Sequence, residues 1–492
     1  MLIVTALVSL IWWVQDVFDP EHDACMYIEV TRSLLAGQGI TLLGEPFGVR
    51  PLVFPLLLAP LMAAVGTHVF ALNLFVSLLG VACVGLLFVH TRSRLGIPVA
   101  LALSALAWRN PGFRSLCNQI MSDVPGMALA LGCLLLERFW RNQGPSRSLL
   151  LGVLIGLAAL VRTMNLMLLP AILLAARARS GGQRVTRLAA LRMILGTVLV
   201  GSPWVVRNVQ ADFKVPSEQT FIHSYGAGMF HRDARDPSSD RVPLIEVAAR
   251  VPVQLSKTFL TLGSRLGSGC PSAPAAWFGA LVILSTVLVA ARRREPAEFL
   301  CLAMLGVISI YFAYDGRLVL PLFLLGLPAL AEASIATLSR VGLGKRRSTW
   351  AVALGLVGLG LADVQWIPDV ELLEAHALGI ESVVEHIEAQ VPVGASIGVR
   401  IGGELGVYMA DRSVYSLHSV TRQGSWSLLE AFLLERGIDY CVFHEPKRAG
   451  LPASASGLRH RNRAVRMHLM LKASFEELDH FDGWSIHGRV GR

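Results

Sequence analysis

Three charged residues occur where the surrounding apolar sequence makes a charge costly. Asp23 precedes an amphipathic stretch, Asp123 directly precedes an apolar run, and Arg162 lies between two apolar runs. An arginine there costs a few kcal/mol unless it is paired or hydrated, so we expect Arg162 to meet a phosphate, a carboxylate or cavity water. The alternative for the two aspartates is a capping role at a helix start. The residue types therefore favour either a polar site beside the membrane or a set of helix caps.

The composition indicates that most of the chain lies in lipid. Of its 492 residues 53% are hydrophobic and only 16% are charged, and the mean hydropathy is +0.55. Soluble domains carry about 25% charged residues. The sequence predicts a polytopic α-helical membrane protein of about eleven spans, several of them shorter than the usual ~20 residues. They are 2–14, 69–89, 98–108, 124–136, 149–160, 163–176, 193–206, 277–291, 299–314, 318–338 and 350–364.

Basic residues between the apolar runs predict the orientation. The net charge is +9, but the arginines form short clusters in alternate connections rather than a basic face, so no nucleic-acid partner is expected. The positive-inside rule then puts the N-terminus in the cytoplasm and the C-terminus outside. The clusters are Arg92 and Arg94; Arg138, Arg141 and Arg147; Arg177, Arg179, Arg184, Arg187 and Arg192; Arg292 to Arg294; and Arg340 to Arg347.

Two domains follow from this topology: a membrane domain at 1–364 and a small extracytoplasmic α/β domain at 365–492, which is predicted to contain strands at Ser396–Arg400 and Tyr440–Phe443. Loops 15–68, 109–123 and 207–276 should open on the outer side. Loop 15–68 should carry a short interfacial helix over Tyr27–Ala36. A functional site, if present, faces outward.

Five motifs occur in an order that resembles the GT-C glycosyltransferases, and in particular the bacterial protein-mannosyltransferase and aminoarabinose-transferase group. The resemblance covers nearly the whole chain. The motifs are Asp23-Ala-Cys-Met-Tyr27 with Arg50-Pro-Leu-Val-Phe-Pro55, Met121-Ser-Asp-Val-Pro125, Gly156-Leu-Ala-Ala-Leu-Val-Arg162, Pro203-Trp-Val-Val-Arg-Asn208 and Arg317-Leu-Val-Leu-Pro321.

The resemblance implies transfer of a sugar, with inversion, from a polyprenyl-phosphate-linked donor to an acceptor at the outer face of the cytoplasmic membrane. It implies that Asp23 is the general base and that Asp123 lies opposite it, orienting the acceptor or holding a divalent cation. Many relatives have two adjacent acids where this chain has His22-Asp23, so Asp19 or Glu21 is a candidate for the second carboxylate.

Arginines complete the site that the resemblance implies. Arg50, Arg162 and Arg317 are candidates for the carrier phosphate, because the planar guanidinium group suits phosphate. Arg317 has an alternative as the partner of Asp315, and Arg207-Asn208 is expected to have a structural role.

Two other classes of function stay open. A transporter could use Arg162 and the outer carboxylates as a substrate path, but it predicts internal repeats that the sequence lacks. A non-catalytic assembly or sensor subunit, with a partner-binding outer domain, would explain the missing second acid.

Overall fold

The structure is a computed structural model. It describes residues 6–10, 14, 22–42, 44–141, 145–180, 185–211, 224–232, 239–264, 273–311, 316–362, 383–399, 412–416, 432–444, 475–481 and 484–489. The described part is mainly helical up to residue 362, and a β-sheet follows.

Fifteen helices are described between residues 22 and 362, residues 6–10 are also helical, and short 3₁₀ turns occur at Thr163–Met167 and Gly316–Val319. The helices are α1 (His22–Leu35), α2 (Val53–Val65), α3 (Val69–Leu95), α4 (Ile97–Arg109), α5 (Pro111–Cys117), α6 (Asp123–Trp140), α7 (Pro145–Val161), α8 (Leu168–Ser180), α9 (Val185–Gln210), α10 (Tyr225–Phe230), α11 (Leu244–Ser264), α12 (Ala273–Arg293), α13 (Pro296–Ile310), α14 (Leu320–Leu338) and α15 (Lys345–Ala362).

Four helical segments among the described residues are long and apolar enough to cross a membrane. They are Val69–Leu95, Arg187–Gln210, Ala273–Arg293 and Gly316–Leu343. Four further apolar helices are shorter: Val53–Val65, Ile97–Arg109, Ser146–Val161 and Pro296–Ile310. The chain is thus a helical protein with several candidate spans, and the count of eleven stays a prediction.

The first outer loop is more helical than the sequence analysis predicted. Helix α1 confirms the predicted amphipathic helix, and Gly37 and Gly39 after it take positive φ angles of 72° and 80°. The strands β1 (Thr41–Leu42) and β2 (Glu45–Pro46) pair as a short antiparallel hairpin. Helix α2, however, lies within the predicted loop 15–68. Its thirteen residues include no charge, and Pro55 falls in the first turn, where proline is tolerated, so the segment can form a helix.

Aromatic and polar contacts hold α1 against α2. The rings of Tyr27 and Phe54 meet edge to face, with centroids 4.8 Å apart, and the Thr31 hydroxyl donates to the carbonyl oxygen of Pro55 at 3.3 Å. Both rings are buried. This packing fixes the start of α1, and with it Asp23, relative to the rest of the first loop.

Small residues let the long helices pack closely. A Cβ atom at Gly152 of α7 would lie 2.1 Å from the carbonyl oxygen of Met193 in α9, and the Thr197 hydroxyl donates to the Gly152 carbonyl at 3.0 Å. Close backbone approach at glycine is a common basis of helix association in membranes. Packing of this kind holds α7, whose end carries Arg162.

Arginines from four of the predicted cytoplasmic clusters meet at one end of the helices. Arg94 pairs with Glu298 at 2.6 Å and with Glu332 at 3.1 Å, and Arg293 also pairs with Glu332. Arg141 and Arg179 share Glu137 and Glu295. If these four arginine clusters lie on one side of the membrane, their side chains should lie close together, as these ion pairs show.

The C-terminal part contains a five-stranded mixed sheet in the order β4-β3-β5-β7-β6. Its strands are β3 (Ser396–Val399), β4 (Ser413–Ser416), β5 (Tyr440–His444), β6 (Phe475–Phe481) and β7 (Trp484–Arg489). Strand β3 pairs in parallel with β4 and β5, whereas β7 pairs antiparallel with β5 and β6. One face buries Ile397, Val442 and Ile486 against Val383 and Ile387. Both predicted strands are present, and the domain boundary at 364/365 stays a prediction.

Candidate functional site

Asp23 lies in the first turn of α1 and binds two arginines. Arg50 Nη2 lies 2.5 Å from Oδ1, and Arg317 Nη2 lies 3.1 Å from Oδ2. Only 13% of the Asp23 side chain is exposed. Each carboxylate oxygen thus has its own guanidinium partner, and three separate parts of the chain supply the three residues.

Asp123 forms a second buried ion pair. Arg162 Nη1 lies 2.5 Å from its Oδ2, and the carboxylate is 3% exposed. The capping alternative for Asp123 was wrong, because Ser122 occupies the N-cap position and Asp123 is already the first helical residue. Its other oxygen, Oδ1, is buried and has no hydrogen-bond partner among the described residues.

A break between helices presents Arg162 to Asp123. Helix α7 ends at Val161, and Arg162 has extended backbone angles (φ −145°, ψ 116°) before the 3₁₀ turn begins. Asn165 in that turn donates to the Gly126 carbonyl at 2.8 Å. Gly126 has no side chain, which leaves room for Arg162 beside α6.

Direct contacts join the two ion pairs into one cluster. The hydroxyl groups of Tyr27 and Ser122 are hydrogen-bonded at 2.9 Å, and Arg317 Nη1 lies 3.2 Å from the Met121 sulfur. Tyr27 is one helical turn after Asp23, and Ser122 directly precedes Asp123. The Tyr27–Ser122 hydrogen bond therefore fixes the distance between the helix starts that carry Asp23 and Asp123. We call Asp23, Arg50, Asp123, Arg162 and Arg317 the Asp–Arg cluster.

Tyr225, which belongs to the predicted loop 207–276, contacts the cluster. Arg50 Nη1 donates to the Tyr225 hydroxyl oxygen at 2.9 Å, and the guanidinium carbon lies 5.7 Å from the centre of the Tyr225 ring. The remaining guanidinium donor of Arg50, Nε, is buried without a partner among the described residues. Among the described residues, the cluster therefore has a buried unused donor at Arg50 Nε and a buried unused acceptor at Asp123 Oδ1.

Burial and the neighbouring arginines shift the pKa of Asp23 in opposite directions. Burial alone would raise the pKa of its carboxyl group, but the charges of Arg50, then Arg317 and Arg162, together with the Arg50 hydrogen bond, hold that pKa below its usual range. The resting site thus holds an ionised Asp23 whose basicity is suppressed by its arginines.

All but one of the site residues predicted from the sequence lie in the Asp–Arg cluster. The exception, Asp19, lies outside the described residues, as do Glu21 and Asp315. Within the described residues no group of three or more His, Cys, Asp and Glu side chains is placed to hold a metal ion. Sequence reasoning did not assign Tyr27, Ser122 or Tyr225 to the site; the aromatic residue four positions after Asp23 was the one available signal.

Arg207 and Asn208 have the structural contacts expected of them. Arg207 donates to the carbonyls of Phe47 and Ile40, both at 2.8 Å, and Asn208 donates to the Gly48 carbonyl at 3.0 Å. The end of α9 therefore holds the hairpin of the first loop, just before Arg50.

Comparisons with known proteins agree on the fold. The family model described as dolichyl-phosphate-mannose-protein mannosyltransferase matches residues 49–206. A crystal structure of ArnT from Cupriavidus metallidurans bound to undecaprenyl phosphate is similar with a TM-score of 0.61 and 15% identity, over 100% of this chain and 97% of that one. Its apo form gives a TM-score of 0.61 and 14% identity over 99% and 97%. A comparison with curated proteins found no match.

The chain shares the fold of the two ArnT structures over nearly its whole length. This fold and the family match over residues 49–206 agree with the resemblance that the sequence motifs carry.

Proposed function

We propose that this protein is an inverting membrane glycosyltransferase that moves a sugar from a polyprenyl-phosphate-linked donor to an acceptor at the outer face of the cytoplasmic membrane. The observation that carries the proposal is the Asp–Arg cluster itself: Asp23 is ion-paired with two arginines and Asp123 with a third. The Tyr27–Ser122 hydrogen bond holds the two carboxylates in one cluster. The relative of similar fold whose structure contains undecaprenyl phosphate supports the donor class.

The charges of the cluster suit a donor phosphodiester. Three arginines face two aspartates, which leaves an excess of one positive charge. A sugar phosphodiester carries one negative charge and its phosphate gains charge as it leaves, so the arginines would stabilise the leaving group most when the bond breaks. Arg317, whose side chain is 20% exposed, is the arginine of the cluster most accessible to it.

Donor binding would activate Asp23 as the base. When the phosphate draws Arg50 and Arg317 away, the effect of burial on the Asp23 carboxylate is no longer opposed, so its pKa rises towards the range of a useful general base. The base then takes the proton of the acceptor hydroxyl. The acceptor oxygen bonds to the anomeric carbon as the bond from that carbon to the phosphate oxygen breaks, and one such displacement inverts the configuration.

Asp123 would orient the acceptor. Arg162 occupies only one of its oxygens, and the other is a buried acceptor without a partner among the described residues. An acceptor hydroxyl group bound there would recover the cost of that unmet hydrogen bond. A divalent cation between the two carboxylates is the alternative to this direct role.

The orientation and the domain organisation belong to the same proposal. We place the Asp–Arg cluster, loop 207–276 and the 365–492 domain outside the cytoplasm, with the arginine clusters inside. The meeting of Arg94, Arg141, Arg179 and Arg293 at the other end of the helices supports this orientation.

A donor panel tests the proposal. Purified full-length protein would be incubated with polyprenyl phosphates that carry different hexoses or pentoses, and the free polyprenyl phosphate formed would be measured by mass spectrometry. We expect release from at least one donor, and none from the matching polyprenyl diphosphate sugars. Acceptors from the cell envelope would be supplied. If no monophosphate donor then releases polyprenyl phosphate, the proposal is wrong.

A further inference from the structure

A second charged cavity lies at the other end of the helices from the Asp–Arg cluster. Asp123 and Arg138 are the two ends of α6, so the cavity is about 22 Å from the first site at 1.5 Å per helical residue. Its volume is about 40 Å³, and it lies between α3, α6 and the junction of α12 with α13. The polar side chains that line it are His90, Arg94, Arg138, Arg293 and Glu295.

His90 offers this cavity an unused hydrogen-bond donor. We assign the proton of a neutral His90 ring to Nδ1, because Arg94 can only donate and its Nη1 lies 3.5 Å from His90 Nε2. That Nδ1 is buried and has no partner among the described residues, and His90 as a whole is 7% exposed. A buried N–H without an acceptor is costly, and a bound anion would satisfy it.

The arginines at this end outnumber the carboxylates. Four arginines form ion pairs with four glutamates at this end of the helices, and two further arginines are bound there only by hydrogen bonds. Arg138 donates to the Ser93 hydroxyl and Arg294 to the Ala178 carbonyl, and neither has a carboxylate partner within the described ranges. Glu295, the carboxylate in the cavity wall, is already bound by Arg141 and Arg179. The arginines are Arg94, Arg138, Arg141, Arg179, Arg293 and Arg294, and the glutamates are Glu137, Glu295, Glu298 and Glu332.

We propose that this cavity binds the phosphate of an anionic membrane phospholipid. A lipid suits it better than a free ion because the helices that line the cavity also expose large apolar side chains: Phe139 of α6 is 59% exposed, Leu288 of α12 57% and Val89 of α3 43%. Basic pockets between helices on the cytoplasmic side are a known mode of lipid headgroup binding. The phosphate would accept from His90 Nδ1 and Arg138, and the acyl chains would lie along Phe139 and Val89.

Native mass spectrometry of the full-length protein tests the proposal. The protein would be released from nanodiscs of phosphatidylglycerol mixed with phosphatidylcholine, and the bound lipids would be counted. We expect one phosphatidylglycerol to be retained in preference to phosphatidylcholine. Arg138→Ala should weaken that retention about fivefold, the effect of one surface arginine on an anionic lipid, and His90→Leu should also weaken it.

Arg92→Ala is the matched control, because Arg92 is exposed on the same helix as His90 but does not line the cavity. It should retain the lipid like the parent protein. Equal retention of both lipids, unchanged retention in Arg138→Ala, or an equal loss in Arg92→Ala would overturn the proposal. If inorganic phosphate alone displaces the lipid, the proposal of a lipid ligand is wrong and the cavity is a site for free phosphate.

Discussion

Replacing Gly126 with alanine should damage the site while leaving the fold intact. The added Cβ would lie 2.9 Å from Cβ of Arg162 and 3.2 Å from both Cδ of Arg162 and Nδ2 of Asn165. Ordinary carbon contacts lie at about 3.5–4.0 Å, so Arg162 must move by about half an ångström or more. That movement disturbs its ion pair with Asp123. Gly132→Ala is the matched control, because a Cβ at Gly132 of the same helix meets nothing within 4 Å.

The Gly126→Ala and Gly132→Ala proteins should differ in both their free energy of unfolding and their turnover. Alanine favours a helix interior over glycine by about 1 kcal/mol, so Gly132→Ala should stabilise the protein by up to that amount. At Gly126 the same gain is opposed by overpacking, which costs about 1–3 kcal/mol, so its net effect should lie between neutral and about 2 kcal/mol destabilising. A misplacement of about 1 Å can cost ~10² in rate, so a shift of half that size should lower turnover about tenfold.

Thermal unfolding in detergent and single-turnover transfer from the active donor are the two assays. The Gly132→Ala protein should transfer sugar at the parent rate. Equal turnover in the Gly126→Ala and Gly132→Ala proteins would refute the placement of Arg162 beside α6 and its contribution to the site.

Three further predictions address the donor, the base and the orientation. Arg50→Ala should weaken binding of a polyprenyl-phosphate donor, and Arg50→Lys should restore it only in part because a point charge lacks the planar fork; unchanged binding in both variants would assign Arg50 to structural pairing. Asp23 is active as a base only when ionised, and its pKa is lowered in the free enzyme but should rise when the donor is bound. On acidification kcat, which reports the donor complex, should therefore begin to fall at a higher pH than kcat/KM, which reports the free enzyme. If the two pH profiles fall together, the donor does not draw the arginines away from Asp23. Impermeant thiol reagents should label a cysteine placed at Ser239 but not one at Gly344, and the reverse pattern would overturn the orientation.

Local patterns in the sequence predicted those parts of the fold that local interactions determine. Helix α1 and strands β3 and β5 lie where the amphipathic and apolar patterns put them. Helix α2 was missed because its apolar run is shorter than a span and contains Pro55 and Pro60, both of which suggest a loop. The number of spans could not be fixed for a similar reason, since several apolar helices are shorter than the bilayer requires.

The candidate site shows the same division between local and distant interactions. Residue type and context were enough to single out Asp23, Asp123 and Arg162, because a charge beside lipid needs a partner. Their pairing was not predictable, since the Tyr27–Ser122 bond joins residues 95 positions apart and the Arg50–Tyr225 bond joins residues 175 apart. No local spacing encodes contacts of that length.

The most direct test of the proposed function is the single-turnover transfer rate of Asp23→Asn with a saturating donor. Asparagine keeps the shape of the side chain but cannot take the proton, and general-base catalysis is worth ~10²–10⁴ in rate. Glu29→Gln is the matched control, because Glu29 lies on the same helix and pairs with Arg32 rather than with the cluster. We predict a loss of that size for Asp23→Asn with donor still bound, and a rate near that of the parent for Glu29→Gln. Transfer by Asp23→Asn at the parent rate would contradict the assignment of Asp23 as the base.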